Sequence, residues 1–461
     1  MNISYSWLKE FLDFDLKVDE ISEILTDIGL EVEGINKYER FKGGLKGLVV
    51  GKVLKCIKHS NADRLKLTTV DIGNEKPLQI VCGAPNVDVN QTVVVATVGT
   101  ILFNINGDEF KISKSKIRGE ISEGMICAED EIGIGESHDG IIVLEDKHKA
   151  GKKISKIYDS YEDIIFDLAL TPNRSDAMSH YGVARDLRAA LMNKGYKTEL
   201  ISPSISSFYI NSRTKRISVI VKDNELCPRF SGLCIENIKI NTSPVWLQNK
   251  LKSIGLSPIN NVVDITNYVL HEIGQPLHAY DLEKIKSNTI EVKRLKKNTS
   301  FKTLDGIERK LNSTDLLICD KNTPMCIAGV FGGENHGITN ETNSIFLESA
   351  FFDPISVRKS AKHHNLSTDS SYRFERGIDP NITKYALKRA VLLIKEICPD
   401  SVISSDPIDL YPKKIEDTQI ILGFDKIKRI IGQKIEKESI KNIISSLDVK
   451  RHTATLIHNY K

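Results

Sequence analysis

The densest run of groups able to hold a partner is His59-Ser60-Asn61-Ala62-Asp63-Arg64-Leu65-Lys66-Leu67. Asn61 and Asp63 suit a turn, because such side chains bond back to local backbone. Arg64 and Lys66 follow at a spacing that points both outward from one strand face. Lys111, Lys114, Lys116 and Arg118 add a second basic group just before Gly119. A basic face on a small β-barrel is the general design of an oligonucleotide reader. From charge alone, lysines on a solvated surface look the same. Further along, a histidine beside Pro276, His278, reads as a structural residue. Glu348 reads as a strand-edge charge, and Gly332-Gly333 as a turn. Arg373, Glu375 and Arg376 read as an ion-pair cluster. Eight cysteines with no CxxC pair argue against a zinc ribbon or a disulfide scaffold, and fit reduced thiols in a cytoplasmic protein.

These residues must be placed by about three domains, since the chain has 461 residues. Apolar residues make up 40% and charged residues 27%, which excludes collagen-like and wholly disordered classes. The net charge is 64 − 61 = +3, so any nucleic-acid contact must come from a local patch. Apolar runs such as Val93-Val94-Val95-Ala96 fall far short of the roughly 18 residues a bilayer span needs. The first ten residues turn charged before a signal-peptide core could form, so no leader is expected.

Residues 1–40 read as helical, with Gly29 stopping the second helix. From about Leu45 strands are expected at 48–54, 65–72, 78–82 and 92–96, with Gly or Asn in each gap. Residues 182–192 read as a helix, and Ile201 to Ser207 as a linker. Residues 214–400 mix strands and helices around Gly329-Val330-Phe331-Gly332-Gly333, which suggests an α+β domain. Helices are expected at 385–397, 424–431 and 437–447, and a strand at Thr453–Ile457.

Several motifs carry a family resemblance. The run from His59 to Lys66, with Ile80-Val81-Cys82-Gly83-Ala84-Pro85-Asn86 and Arg118-Gly119-Glu120-Ile121-Ser122-Glu123-Gly124-Met125-Ile126-Cys127, resembles a tRNA-binding OB module. The module occurs in several tRNA-binding proteins. Thr171-Pro172-Asn173-Arg174-Ser175-Asp176, Asn260-Asn261-Val262-Val263-Asp264 and Gly274-Gln275-Pro276-Leu277-His278-Ala279-Tyr280-Asp281 extend the likeness. So do Leu347-Glu348-Ser349-Ala350-Phe351-Phe352 and Ser371-Tyr372-Arg373-Phe374-Glu375-Arg376-Gly377. In this order they resemble bacterial phenylalanyl-tRNA synthetase β subunits over essentially the whole chain.

The resemblance implies a multidomain α+β chain. Residues 1–40 plus 150–200 would pack as an N-terminal unit, interrupted by an OB-fold barrel at 41–149. An editing domain of the B3/B4 kind would occupy 208–400. Residues 404–461 would begin a small helical, winged-helix-like domain. The resemblance further implies a cytoplasmic α2β2 heterotetramer that charges tRNAPhe with phenylalanine using ATP. The synthetic site would lie on the α subunit, while the β chain binds tRNA and hydrolyses mischarged tyrosyl-tRNAPhe. No membrane or DNA partner is implied. His278, Asn267 and Thr368 fall on family positions lining the editing site, and Glu348 and Gly332 on those that read the tyrosine hydroxyl. His59, Asn61, Asp63, Arg64, Lys66, Lys114, Lys116 and Arg118 would meet tRNA.

Editing has a physical motive. A hydrophobic pocket rejects an isostere with one added hydroxyl by only about a hundredfold. A second site that bonds that hydroxyl reverses the preference, because phenylalanine leaves its buried polar groups unpaired, at roughly 1–3 kcal/mol each. Two substrate-binding positions depart from the family. Ser257 stands where Arg is frequent, and Ser370 where Ala is frequent, adding a hydroxyl to the pocket wall. His458-Asn459-Tyr460-Lys461 resembles the run before an acidic motif that supplies Mg2+ ligands, so those ligands and further domains are expected beyond residue 461, in a C-terminally truncated chain. A free-standing tRNA deacylase and an RNA-binding or chaperone protein remain the alternative readings.

Overall fold

A computed structural model of the chain describes residues 1–104 and 106–449. The expected strand at 453–457 and the run 458–461 lie outside the described residues. The described chain divides into two compact units, Lys37–Asp163 and a second made of Met1–Asn36 with Ile164 onward.

The Lys37–Asp163 unit is an antiparallel, nearly closed barrel. Its strands run in the order Gly124–Ile126, Thr92–Thr97, Leu48–His59, Ala62–Asp71, Leu78–Cys82, with Val143–Leu144 also on Thr92–Thr97. The edges approach where the Glu123 amide donates to the Gln79 carbonyl at 2.8 Å and the Val81 amide to Ser122 Oγ at 3.1 Å. Thr92–Thr97 is buried on both faces. Val94 and Ala96 enter one apolar cluster while Val93 and Val95 enter another, as a two-residue repeat requires.

In the second unit the N-terminal segment differs from expectation. Helices Tyr5–Phe11 and Val18–Asp27 are present, but Asn2–Ser4 and Glu31–Glu39 are strands, flanking Glu162–Ala169 in one sheet. Their pairing partner lies more than a hundred residues away, beyond any local pattern. Gly29 does end the second helix, at φ 83°, with the Leu30 amide closing on the Leu25 carbonyl.

Two five-stranded sheets follow. The first runs Leu277–Asp281, Ile345–Phe351, Arg229–Glu236, Val402–Ile403, with Ile408–Leu410 also on Arg229–Glu236. The second runs Ser218–Val221, Thr289–Arg294, Leu316–Asp320, Thr323–Ile327, Phe331–Gly332. Alternation along the first sheet assigns its faces. Leu233, Ala279, Ile345 and Leu347 pack in a cluster with residues of helices Asn261–Ile273 and Thr383–Ile397. Phe230, Cys234, Tyr280, Phe346 and Ala350 pack in a cluster with residues of the second sheet. By the same parity His278 and Glu348 belong to the second face.

Helices Phe424–Ile431 and Lys437–Ser446 complete the described chain; the first buries no residue.

Candidate functional site

Each element of the site has a local cause. Helix Asn261–Ile273 starts on Asn260, whose side chain accepts from the Val262 and Val263 amides, and stops at Gly274 in the left-handed region. Gln275, wholly buried, then donates from Nε2 to the carbonyl of Ala350 at 2.9 Å. That bond ties the start of Leu277–Asp281 to Ile345–Phe351. In the resulting register His278 stands directly opposite Glu348.

Glu348 is not at an edge. Its strand lies between two others, and the residue is 5% exposed. The Tyr280 hydroxyl donates to Glu348 Oε2 at 2.7 Å. Burial pushes the Glu348 carboxyl up to about 8, with the Tyr280 hydrogen bond pulling the other way. The His278 ring meets that of Tyr280 edge-on at 4.5 Å. Burial lowers the His278 pKa to about 4, so its imidazole is uncharged at neutral pH. It can accept a proton-bearing partner there, but it is too weak a base to compete well for a proton near pH 7.

Gly332 comes from the second sheet, and its backbone closes on His278. A Cβ at Gly332 would lie 2.8 Å from His278 Cε1 and 2.9 Å from Leu304 Cδ1. The loop leading to it is held from behind. Thr368 Oγ1 donates to the Val330 carbonyl at 3.0 Å and also caps helix Asp369–Phe374, and Ser370 Oγ donates to the Gly329 carbonyl at 3.3 Å. Thus Glu348, His278 and Gly332 form one cluster, with Thr368 and Ser370 fixing the loop that carries Gly332. Asn267 is half-buried on helix Asn261–Ile273, and no hydrogen bond joins it to this cluster among the described residues. Ser257 is exposed in the loop before that helix, likewise without a bond to the cluster.

Arg373 departs from the expected ion-pair cluster. Only Arg376 pairs with Glu375. Arg373 is 2% exposed and bonds Asp369 Oδ1 at 3.1 Å, the Met178 carbonyl at 3.0 Å and His271 Nδ1 at 3.3 Å. It braces the short helix that Thr368 caps. Tyr280 went unremarked in the sequence as a partner of Glu348. Its position two residues past His278, on the same strand face, was the available signal.

On the barrel the basic residues separate into two groups. His59 is buried; its Nδ1 accepts from the Asn61 amide at 3.0 Å, which assigns Nε2–H to the Ile117 carbonyl at 3.3 Å. It is a strut between the 59–62 turn and hairpin Ser115–Ile117/Glu120–Ser122, not a surface contact. Lys66 does not stand outward beside Arg64. It is half-buried and donates to the carbonyls of Val87 at 2.6 Å and Pro85 at 3.3 Å. Lys114 pairs with Glu123 at 2.7 Å. Asn61, Asp63, Arg64, Lys116 and Arg118 are exposed, and the three cations have no ion pair among the described residues. A cavity of about 520 Å³ opens on this unit, lined in part by Phe110, Lys111, Ser113, Ser115, Glu131 and His138. The Glu348 cluster belongs to the other unit, and its bonding geometry, not a cavity size, carries the candidate chemistry.

Residues 226–399 match the "B3/4 domain" family, and residues 48–153 match the family described as "Putative tRNA binding domain". The phenylalanine–tRNA ligase beta subunit of Bacteroides fragilis is 52% identical over 98% of this chain. Over nearly its whole length the chain is thus similar to phenylalanine–tRNA ligase beta subunits. The Porphyromonas gingivalis beta subunit is 51% identical and that of Fusobacterium nucleatum 41%, each over 98% of this chain. The chain spans about half the length of the curated relatives it matches, 55% in each of these three. A solved N-terminal fragment of a phenylalanyl-tRNA synthetase beta subunit from Pyrococcus horikoshii shares 14% identity at a TM-score of 0.30, covering 62% of this chain and 77% of its own.

Among the described residues no group of three or more His, Cys, Asp or Glu side chains could hold a metal ion. No helix among them is long and apolar enough to cross a membrane.

Proposed function

We propose that this chain is the tRNA-binding and proofreading portion of a cytoplasmic phenylalanine–tRNA ligase. It works in an α2β2 assembly whose α subunit carries the synthetic site and uses ATP, with Mg2+ held by residues other than those described. On this chain the reaction is hydrolysis of tyrosyl-tRNAPhe. Water attacks the ester carbonyl, the C–O bond to the terminal ribose breaks, and the proton lost from water ends on the ribose hydroxyl.

The observation that carries this reading is the meeting of Glu348, His278 and Gly332 at one place. Glu348 supplies the polar partner that a phenol can bond and a benzene ring cannot. The uncharged His278 accepts a hydrogen bond from the attacking water or the ribose hydroxyl and so orients it. Gly332 lets backbone approach where a side chain would push His278 aside. Arg64, Lys116 and Arg118 supply the local positive patch for the tRNA backbone.

The purified chain incubated with tyrosyl-tRNAPhe and phenylalanyl-tRNAPhe tests it. Release of tyrosine well ahead of phenylalanine is the expected result. Binding of both tRNAs with no ester hydrolysis would reduce the chain to an RNA-binding module.

A further inference from the structure

Glu348 already holds one phenol. Tyr280 donates its hydroxyl to Oε2 at 2.7 Å from the neighbouring strand, in a fully buried position. The other oxygen, Oε1, receives no hydrogen bond among the described residues, yet it is not among the buried polar atoms left without a partner. It therefore keeps some access to solvent. On the far side the strand partner of Glu348 is Gly232, which brings no polar side chain.

We propose that Tyr280 is a positioning residue for specificity: its phenol pins one oxygen of the Glu348 carboxyl group, so that the other is presented to the hydroxyl of the incoming aromatic residue. The inference rests on the editing reading above and adds the residue that sets its selectivity. A single carboxylate would then accept from two phenols, one internal and one brought by the substrate. A carboxylate has acceptor sites for both. Substrates with an aromatic hydroxyl are favoured, and phenylalanine gains nothing from Oε1.

The other titratable groups facing this carboxyl leave its charge to burial and Tyr280. His278, opposite on the adjacent strand, is uncharged at neutral pH. The Cys227 and Cys326 thiols are pushed up by burial and further by Glu348, so both stay neutral. Burial raises the Glu348 pKa, and the Tyr280 bond opposes the rise by favouring the ionised form. Loss of the phenol must therefore move the Glu348 titration upward.

The test is Tyr280→Phe, which keeps the ring packed on His278 and removes one oxygen. Hydrolysis of tyrosyl-tRNAPhe and phenylalanyl-tRNAPhe is followed from pH 6 to 9 with wild type, Tyr280→Phe and Glu348→Ala. The preference for tyrosine should rise with pH in wild type. In Tyr280→Phe that rise should shift to higher pH, and the preference at pH 7.5 should fall by at least about tenfold, the value of one hydrogen bond to a charged group. The slow hydrolysis of phenylalanyl-tRNAPhe should not change. A merely structural role would slow both substrates alike and leave the midpoint in place, which would overturn the proposal. If Glu348→Ala loses the preference while Tyr280→Phe keeps it, the role of Tyr280 fails and the editing reading stands. If Glu348→Ala also keeps it, both fail. Calorimetry of L-tyrosine and L-phenylalanine on the wild-type chain needs no variant: tyrosine affinity should climb with pH and phenylalanine affinity stay flat. A flat tyrosine curve would overturn the proposal.

Discussion

Gly332→Ala separates a glycine kept for a turn from one kept for a close approach. Gly332 is not among the residues with positive φ, so its backbone accepts alanine without strain. What the new methyl meets is side chain. It would lie 2.8 Å from Cε1 and 3.2 Å from Nε2 of His278, and 2.9 Å from Leu304 Cδ1. Ordinary carbon contacts begin at about 3.5 Å, so His278 and Leu304 must each yield by roughly half an ångström. Leu304 is half exposed and can swing away. His278 is wedged against the Tyr280 ring and tied into the strand opposite Glu348, so it must turn. Overpacking of this kind costs about 1–3 kcal/mol of stability. A misplacement near 1 Å at a reacting group can cost about a hundredfold in rate. Hydrolysis of tyrosyl-tRNAPhe should therefore fall about 10- to 100-fold, in protein that denaturant titration shows to be folded. Gly333→Ala is the control. Its methyl would meet Phe301 and the Met325 carbonyl, away from His278, and should cost stability with a smaller loss of rate per folded molecule. Full activity and unchanged stability in Gly332→Ala would refute the close-approach argument.

Arg64→Ala, Lys116→Ala and Arg118→Ala together should weaken tRNA binding and reduce the slope of log K against log salt by about 2–3, measured by filter binding at several salt concentrations. Lys66→Ala should leave that slope unchanged and instead destabilise the barrel by about 1–2 kcal/mol, because Lys66 spends its ammonium on the Pro85 and Val87 carbonyls. Glu348 also makes stability depend on pH. Its folded pKa of about 8 lies above the ordinary 4.5, so its contribution is fully present below about pH 4.5 and is lost as pH rises to about 8. Glu348→Gln, which cannot ionise, should lose less stability than wild type between pH 5 and 8, by about 3–4 kcal/mol; parallel curves in chemical denaturation would contradict the buried carboxyl.

Local punctuation was legible in the residues and remote partners were not. Gly29 ends a helix because its backbone must turn left-handed, and Thr92–Thr97 is a strand because four successive apolar residues have two cores to fill. Both causes lie within a few residues. Strands Asn2–Ser4 and Glu31–Glu39 depend on Glu162–Ala169, and nothing in their own half-polar pattern announces it. Glu348 shows the same limit within the site. Its neighbours in sequence mark a buried strand, but its meaning comes from His278 and Tyr280, some seventy residues earlier, which the register sets beside it. Lys66 and His59 looked like surface contacts because a basic motif does not reveal which of its members face a carbonyl. Thr368 was picked out by resemblance. Its physical task, capping one helix while bonding the loop before Gly332, needed the fold.

The central claim is that Glu348 makes this site prefer an aromatic ring with a hydroxyl. The most direct test is the ratio of kcat/KM for tyrosyl-tRNAPhe to that for phenylalanyl-tRNAPhe, in wild type and in Glu348→Ala. A hydrogen bond worth about 1–3 kcal/mol predicts that the ratio drops roughly 5- to 150-fold in the variant, through slower tyrosine release with phenylalanine release unaltered. An unchanged ratio, in a variant that still folds and hydrolyses both esters, would contradict the account.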